Sequence, residues 1–268
     1  MAAGAQPESL DLDRPRGLGG LFATTVRLYG RHFVIFATIA LAVVVPVDFV
    51  TLGLVNGQLF SGYPTEIFAS GENATFSFVV MPLVTAMHVQ AVLALDGGRQ
   101  PTLRETLQGG GLVFTTVLGG VVLAGLGTIL GLLLLILPGI YLFVRWYVTA
   151  QAIAVEGHGA LAGLSRSAEL VKGQWWRTFG VVLAILLVGV IGVALVFLPL
   201  DLAAEAADSG PLYMLGTMLS DALIASFVAL TGTLLFFDLR ARKTDTKAAV
   251  PEAGSGPPAS DPPAPSAT

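Results

Sequence analysis

The chain has 268 residues, of which 54% are hydrophobic and only 12% charged, with a mean hydropathy of +0.78. Soluble globular domains carry about 25% charged residues, so the composition excludes that class and implies a polytopic membrane protein. The net charge of −4 averages a basic face with an acidic one, and the absence of cysteine excludes disulfides, thiolate nucleophiles and cysteine metal sites.

Residues 1–16 mix acids and bases and read as a disordered cytoplasmic N-terminus without a cleavable leader, leaving the first span as a signal anchor. A membrane domain over 17–243 follows. Crossing a hydrocarbon core of roughly 30 Å takes about 20 helical residues. Six stretches satisfy this, at about 33–55, 75–95, 113–136, 139–156, 179–200 and 212–237. The third and fourth run together, and Pro138–Gly139 is the expected reversal between them, because proline removes a donor and glycine tolerates a turn. The last 18 residues hold six prolines and almost no bulky apolar groups, so 244–268 reads as a disordered cytoplasmic tail.

A short polar-apolar segment precedes each odd-numbered span: LGGLFATTVRLYGRHF, PTLRETLQGGGLVF and LAGLSRSAELVKGQWW. In the third, Leu161, Leu164, Ala168, Val171 and Trp175 recur at helical spacing, the pattern of an amphipathic interfacial helix. In the second, Thr102 and Glu105 form a T-x-x-E capping box. Aligning Gly30 with Gly173 superposes Leu28 on Val171 and Phe33 on Trp176. The expected fold is therefore all-α: three hairpins of two spans, each preceded by a cytoplasmic interfacial helix.

Thirteen of the 14 Lys and Arg residues fall on one side of this arrangement. The opposite loops, 56–74 and 201–211, carry Glu66, Glu72, Asp201, Glu205 and Asp208 and no cation. The positive-inside rule then puts both termini in the cytoplasm of a multi-pass cell-membrane protein, which requires an even number of spans. The Asn73 triplet NAT lies in an outer loop, where a chance match is the simpler account.

Arg145 is the fourteenth cation, and it lies inside the fourth span. A mid-membrane arginine costs about 2.5–3.5 kcal/mol on insertion scales and calls for a partner or a wet cavity. Counting residues from Gly139 puts it in the outer half, level with Asp48 and Asp221, so an ion cluster of Arg145 with Asp48, Asp221 or both is expected. The alternative is that Arg145 snorkels to the outer headgroups. Such a cluster would either fasten spans together or line a path for a solute. A second polar concentration, Arg166, Lys172, Trp175, Trp176 and Arg177, suits the inner headgroup layer, where tryptophan anchors and cations meet anionic lipid.

Catalytic motifs are missing. Gly163-Leu164-Ser165-Arg166-Ser167 fails the G-x-S-x-G pattern at its last position. His32, His88 and His158 have no metal-ligand spacing, and His88 is better placed to hydrogen-bond a neighbouring helix. Nothing indicates a nucleotide loop, a cofactor or a nucleic-acid partner.

The stretches LPGIYLFVRWYVTAQAIAVEG, LSRSAELVKGQWWRTFG and LLFFDLRARK resemble the membrane domain of some bacterial glycerophosphoryl diester phosphodiesterases and of related stand-alone actinobacterial membrane proteins. The resemblance covers about 17–243. It rests most on Pro138-Gly139-Ile140, Arg145, Glu156, the run from Arg166-Ser167 through Leu170 and Gly173 to Trp176, and Asp238-Leu239-Arg240. The soluble hydrolase domain of the fused relatives has no counterpart in this sequence. The resemblance therefore implies a six-helix bacterial membrane domain connected with phospholipid or envelope biology, not the phosphodiesterase reaction. The expected function is a non-enzymatic membrane protein that binds or organises lipid or a partner, with a small-solute or lipid transporter using the Arg/Asp layer as the alternative.

Overall fold

The computed structural model describes residues 10–64 and 75–248, all helix, turn and loop, with no strand among the described residues. In chain order the helices are α1 Leu18–Arg31, α2 Phe33–Asp48, α3 Met81–Asp96, α4 Leu103–Leu134, α5 Ile136–Arg145, α6 Thr149–Glu156, α7 Ala160–Val171, α8 Trp175–Ala206 and α9 Gly210–Ala248. Wide π turns extend α2 through Phe49–Val55 and lead into α3 through Phe76–Val80. Six stretches are long and apolar enough to cross a membrane: Phe33–Val55, Phe76–Asp96, Leu103–Leu134, Ile136–Glu156, Trp175–Ala206 and Gly210–Thr246. The protein is thus an all-α polytopic membrane protein.

Burial ranks the helices. In α9 and α3, 78% and 67% of the most apolar window is enclosed by protein, against 17% in both α4 and α8. α9 is the axis: Ala225, Ala229, Leu230, Leu234, Phe236 and Leu239 are buried along it, and it packs on α2, α3, α8 and α1. The α4–α5 and α8–α9 pairs are close hairpins, whereas α2 leans on α9 more than on α3. His88 of α3 fastens this centre. Its Nδ1 lies 2.9 Å from the Val84 carbonyl and so carries the proton there, leaving Nε2 to accept from Ser226 of α9 at 2.8 Å. The ring also stacks on Phe36 at 5.3 Å.

Two of the three interfacial helices exist as separate elements, α1 and α7. The second does not: residues 103–112 are the first three turns of a continuous α4 of 32 residues. The Thr102/Glu105 capping box is formed, with both bonds at 3.3 Å. The glycines beyond it do not break the helix, because they serve packing. A Cβ on Gly110 would lie 2.7 Å from Met87 Cγ, and one on Gly109 3.0 Å from Gln90 Cγ. Gly127 and Gly131 work the same way inside the chain, admitting Trp146 and Gly139. Only half of the Gly30/Gly173 equivalence holds, since Gly173 adopts φ +82 at the α7–α8 turn while Gly30 is an ordinary helical residue of α1.

The reversal between the third and fourth spans falls at Leu135, which is extended at φ −163, ψ 148, rather than at Pro138–Gly139. Pro138 sits in the first turn of α5, where its missing N–H has no helical partner to lose. Gly139 is needed for contact: a Cβ there would overlap the Leu132 side chain and approach its backbone nitrogen to 2.7 Å.

Parts of both ends expected to be disordered are ordered, and residues 1–9 and 249–268 lie outside the described residues. Leu10–Arg16 is docked on the bundle with Leu12 buried, and α9 continues past residue 243 to Ala248. Asn73, Glu66 and Glu72 lie outside the described residues. At the acidic end, Tyr63 donates to Asp201 at 2.9 Å and its backbone N–H to Asp208 at 2.9 Å, tying the loop after α2 to the α8–α9 turn.

Candidate functional site

Four groups of polar side chains are set by the packing. The first is centred on Asp238 of α9, which is fully buried. Its Oδ1 accepts the backbone N–H of Arg16 at 2.6 Å, and its Oδ2 accepts Nε of Arg177 at 2.9 Å and Nε of Arg242 at 3.1 Å. The two guanidiniums return to the chain end, Arg177 Nη2 reaching the Arg16 carbonyl at 2.5 Å and Arg242 Nη2 at 2.6 Å. A buried carboxylate is tolerated only when paired and hydrogen-bonded. Here both conditions are met by groups 61 and 222 residues away in sequence.

The second group joins α6 to α7. Arg166 takes Glu156 in a two-pronged grip at 2.8 and 3.0 Å, and its remaining Nη1 reaches Glu169 at 3.0 Å. His158 adds a contact to the same Glu156 oxygen at 2.9 Å. These bonds, Glu156 first, hold the Arg166 guanidinium above its ordinary value.

Arg145 heads the third group. It ends α5, and the chain is non-helical from Trp146 to Val148 before α6 begins. A break in a membrane-crossing segment exposes carbonyls that the bilayer cannot satisfy. Side chains supply the donors: Ser167 of α7 gives a hydroxyl to the Arg145 carbonyl at 3.0 Å, and Thr149 gives one to the Trp146 carbonyl at 2.7 Å. A cation at a helix C-terminus also suits the helix dipole. The guanidinium lies over Tyr141, 5.9 Å from the ring centroid, with Nη1 3.4 Å from the hydroxyl. Trp175 stacks on Tyr141 and donates its indole N–H to the Tyr141 carbonyl at 3.3 Å. Tyr141, Arg145, Ala168, Val171, Lys172, Gly173 and Trp175 enclose a cavity of about 340 Å³. Two cations and two aromatic rings line it, and no carboxylate does among the described residues.

Around Arg145 the structure gathers Tyr141, Lys172 and Trp175 where the sequence leads us to expect Asp48 and Asp221. Arg145 stands beside Lys172, whose carbonyl accepts from Lys243 at 2.8 Å, and so belongs to the basic end of the bundle with the other cations. The residue count that put it in the outer half assumed one straight span. The chain instead breaks at Leu135 and again after Arg145, and α7 and α8 pull the end of α5 to themselves. The two acids do share a level. The contacts Ser226–Phe36 and Gly53–Met214 fix the antiparallel register of α2 and α9. That register puts Asp48 and Asp221 within about one helical turn of each other.

The expected headgroup contacts divide. Lys172 and Trp175 line the Arg145 cavity, and Trp176, 78% exposed, stands edge-on to Trp175 at 4.8 Å. Arg166 and Arg177 are instead committed to Glu156 and Asp238. On the other side of the same break, Trp146, Tyr147 and Gln151 join Phe78, Met81, Gly125 and Phe143 around an apolar cavity of about 400 Å³.

The fourth group is a cleft of about 580 Å³ between Leu10–Gly17, α1 and the α3–α4 turn. Arginines dominate its wall. Neither Tyr141 nor this cleft was evident in the sequence; the only hint was the clustering of Arg14, Arg16, Arg27 and Arg31 before the first span.

These features define a class: an all-α membrane protein whose cations, among the described residues, are gathered at one end of the bundle. Comparison of the chain with family models, with curated proteins and with solved structures finds no match in any of the three.

Proposed function

We propose that this protein is a non-enzymatic membrane protein that binds anionic phospholipid at the cytoplasmic leaflet through the Arg145 cavity. The observation that carries the reading is the lining of that cavity: Arg145 and Lys172 with Tyr141 and Trp175, and no acid. Headgroup phosphates attract cations at the membrane surface by about 1 kcal/mol each. Arginine adds a planar fork that suits phosphate oxygens. Trp175 and the exposed Trp176 fit the headgroup layer, where amphipathic rings anchor. The apolar cavity across the same helix break supplies a surface for an acyl chain. This reading agrees with the resemblance to a membrane domain associated with phospholipid enzymes, which we retain as a proposal.

The transporter alternative depends on Arg145 sharing a layer with Asp48 and Asp221, whereas the Tyr141, Lys172 and Trp175 surroundings of Arg145 favour the lipid reading. The test is lipid retention. The full chain is purified in mild detergent from vesicles of equal phosphatidylglycerol and phosphatidylcholine, and bound lipid is read by native mass spectrometry. Wild type retains phosphatidylglycerol preferentially, and Arg145→Gln/Lys172→Gln loses the preference. Equal retention of both lipids by wild type would overturn the proposal.

A further inference from the structure

The cleft at the N-terminal side of the basic end lies apart from the Arg145 cavity and has a different build. Its floor is α1, its far wall is the α3–α4 turn, and its near wall is Leu10–Arg16. That near wall is not a loose tail. Asp238 holds the backbone N–H of Arg16, while Arg177 and Arg242 hold the Arg16 carbonyl. Arg16 then folds its own guanidinium back onto the carbonyls of Leu10 and Asp11 at 2.6 and 2.8 Å. The result is a rigid rim fixed from below by a buried ion network.

Arg14 of this rim, Arg27 and Arg31 of α1 and Arg99 of the turn line the cleft, with Asp11 as the only acid among the described residues of its lining. Arg14, Arg27 and Arg99 enter no ion pair among the described residues and are exposed. Like charges brought together from three separate elements repel, which costs stability unless a counter-charge is bound. Burial and the neighbouring Arg31 both push His32, also in the lining, below its ordinary value. Ligand cavities run to roughly 300–1,000 Å³, so a cleft of about 580 Å³ admits an organic phosphate as well as a bare ion.

We propose that this cleft binds a multivalent phosphate anion, held by the guanidinium forks of Arg14, Arg27 and Arg99. A monoanion leaves most of the lining charge uncompensated, whereas a phosphomonoester or diphosphate offers several acceptor oxygens to planar donors and satisfies two or three forks at once. The chemistry is shared by a soluble phosphorylated compound and by a phosphomonoester headgroup such as that of phosphatidic acid.

The experiment uses the full chain in phosphatidylcholine nanodiscs, with inorganic pyrophosphate titrated at constant ionic strength and binding read by calorimetry. Saturable binding is expected, weakened at least tenfold in Arg27→Gln/Arg99→Gln. It should be unchanged in Arg104→Gln, which lies outside the cleft, and saturable binding should persist in the Arg145→Gln/Lys172→Gln background, where the Arg27→Gln/Arg99→Gln pair still weakens it, which separates this site from the proposed lipid cavity. Arg27→Lys, which keeps charge but loses the fork, is expected to fall between. Repeating the titration with phosphatidic acid in the nanodisc identifies the source: competition with pyrophosphate assigns a lipid headgroup, and its absence assigns a soluble anion. No saturable pyrophosphate binding by wild type, or equal weakening by Arg104→Gln, would overturn the proposal.

Discussion

Asp238 accepts the backbone N–H of Arg16 at 2.6 Å, so a fully buried carboxylate near the end of α9 fastens a segment near the start of the chain. Arg177 and Arg242 close the arrangement by binding both the carboxylate and the Arg16 carbonyl. Main-chain atoms of residue 16, rather than its side chain, are what the network holds.

Removing the carboxylate leaves two partly buried guanidiniums facing each other without their counter-charge. Breaking a buried pair by removing one partner costs about 3–5 kcal/mol. Asp238→Ala is therefore expected to lower the thermal midpoint of the detergent-solubilised protein sharply and to open the Arg16–Gly17 bond to trypsin. Arg16→Ala keeps the N–H and carbonyl and should cost much less than Arg177→Ala; equal losses would show that the side chain matters more than the backbone.

The helix break after Arg145 depends on borrowed donors. Ser167 is buried and gives its hydroxyl to the Arg145 carbonyl at 3.0 Å. Ser167→Ala is expected to cost about 1–3 kcal/mol, the penalty of leaving a buried acceptor unsatisfied, as read by thermal unfolding. Ser165→Ala on the same helix, where no such bond exists, serves as the comparison and should be near neutral.

Glycines divide into those that admit a neighbour and those that do not. Gly139→Ala forces a Cβ against Leu132, side chain and backbone nitrogen alike, and overpacking of this kind costs about 1–3 kcal/mol. Gly180 lies inside α8 with nothing within 4 Å of a Cβ. Gly180→Ala should stabilise by about 0.5–1 kcal/mol through helix propensity. Opposite shifts in thermal midpoint are the expected result.

At the acidic end, Tyr63 is pushed up to about 12, chiefly by donating its hydroxyl to Asp201. A raised folded value means that the contact contributes its full stability below the ordinary phenol value near pH 10, and that this is lost as pH rises through about 12. Phenolate absorbance of wild type minus Tyr63→Phe should titrate near the higher value. In an Asp201→Asn background the same difference should move back toward about 10.

Hydropathy, spacing and capping were legible because each is a property of neighbouring residues along one helix. The six apolar stretches, the Thr102/Glu105 box, the amphipathic α7 and the interhelical hydrogen bond of His88 all follow from such local patterns. Pro138–Gly139 misled for a related reason: a turn signal and a close-packing signal use the same residues, and only the presence of Leu132 opposite Gly139 separates them. Asp238 stood out in the sequence only as part of a family-like motif.

The sequence by itself determined that this chain is an all-helical membrane protein with one strongly basic side, because the transfer of apolar residues into lipid is set by composition and length. The tertiary structure alone decided where Arg145 goes. Its depth depends on two breaks in the chain and on α7 and α8 packing against the end of α5, and its neighbours lie in three segments up to 30 residues distant. The ion network at Asp238 and the arginine-lined cleft beside it belong to the same category. Coulombic and hydrogen-bonding partners are chosen by proximity in space, and folding brings residues 16, 177 and 238 to one point that no local pattern marks.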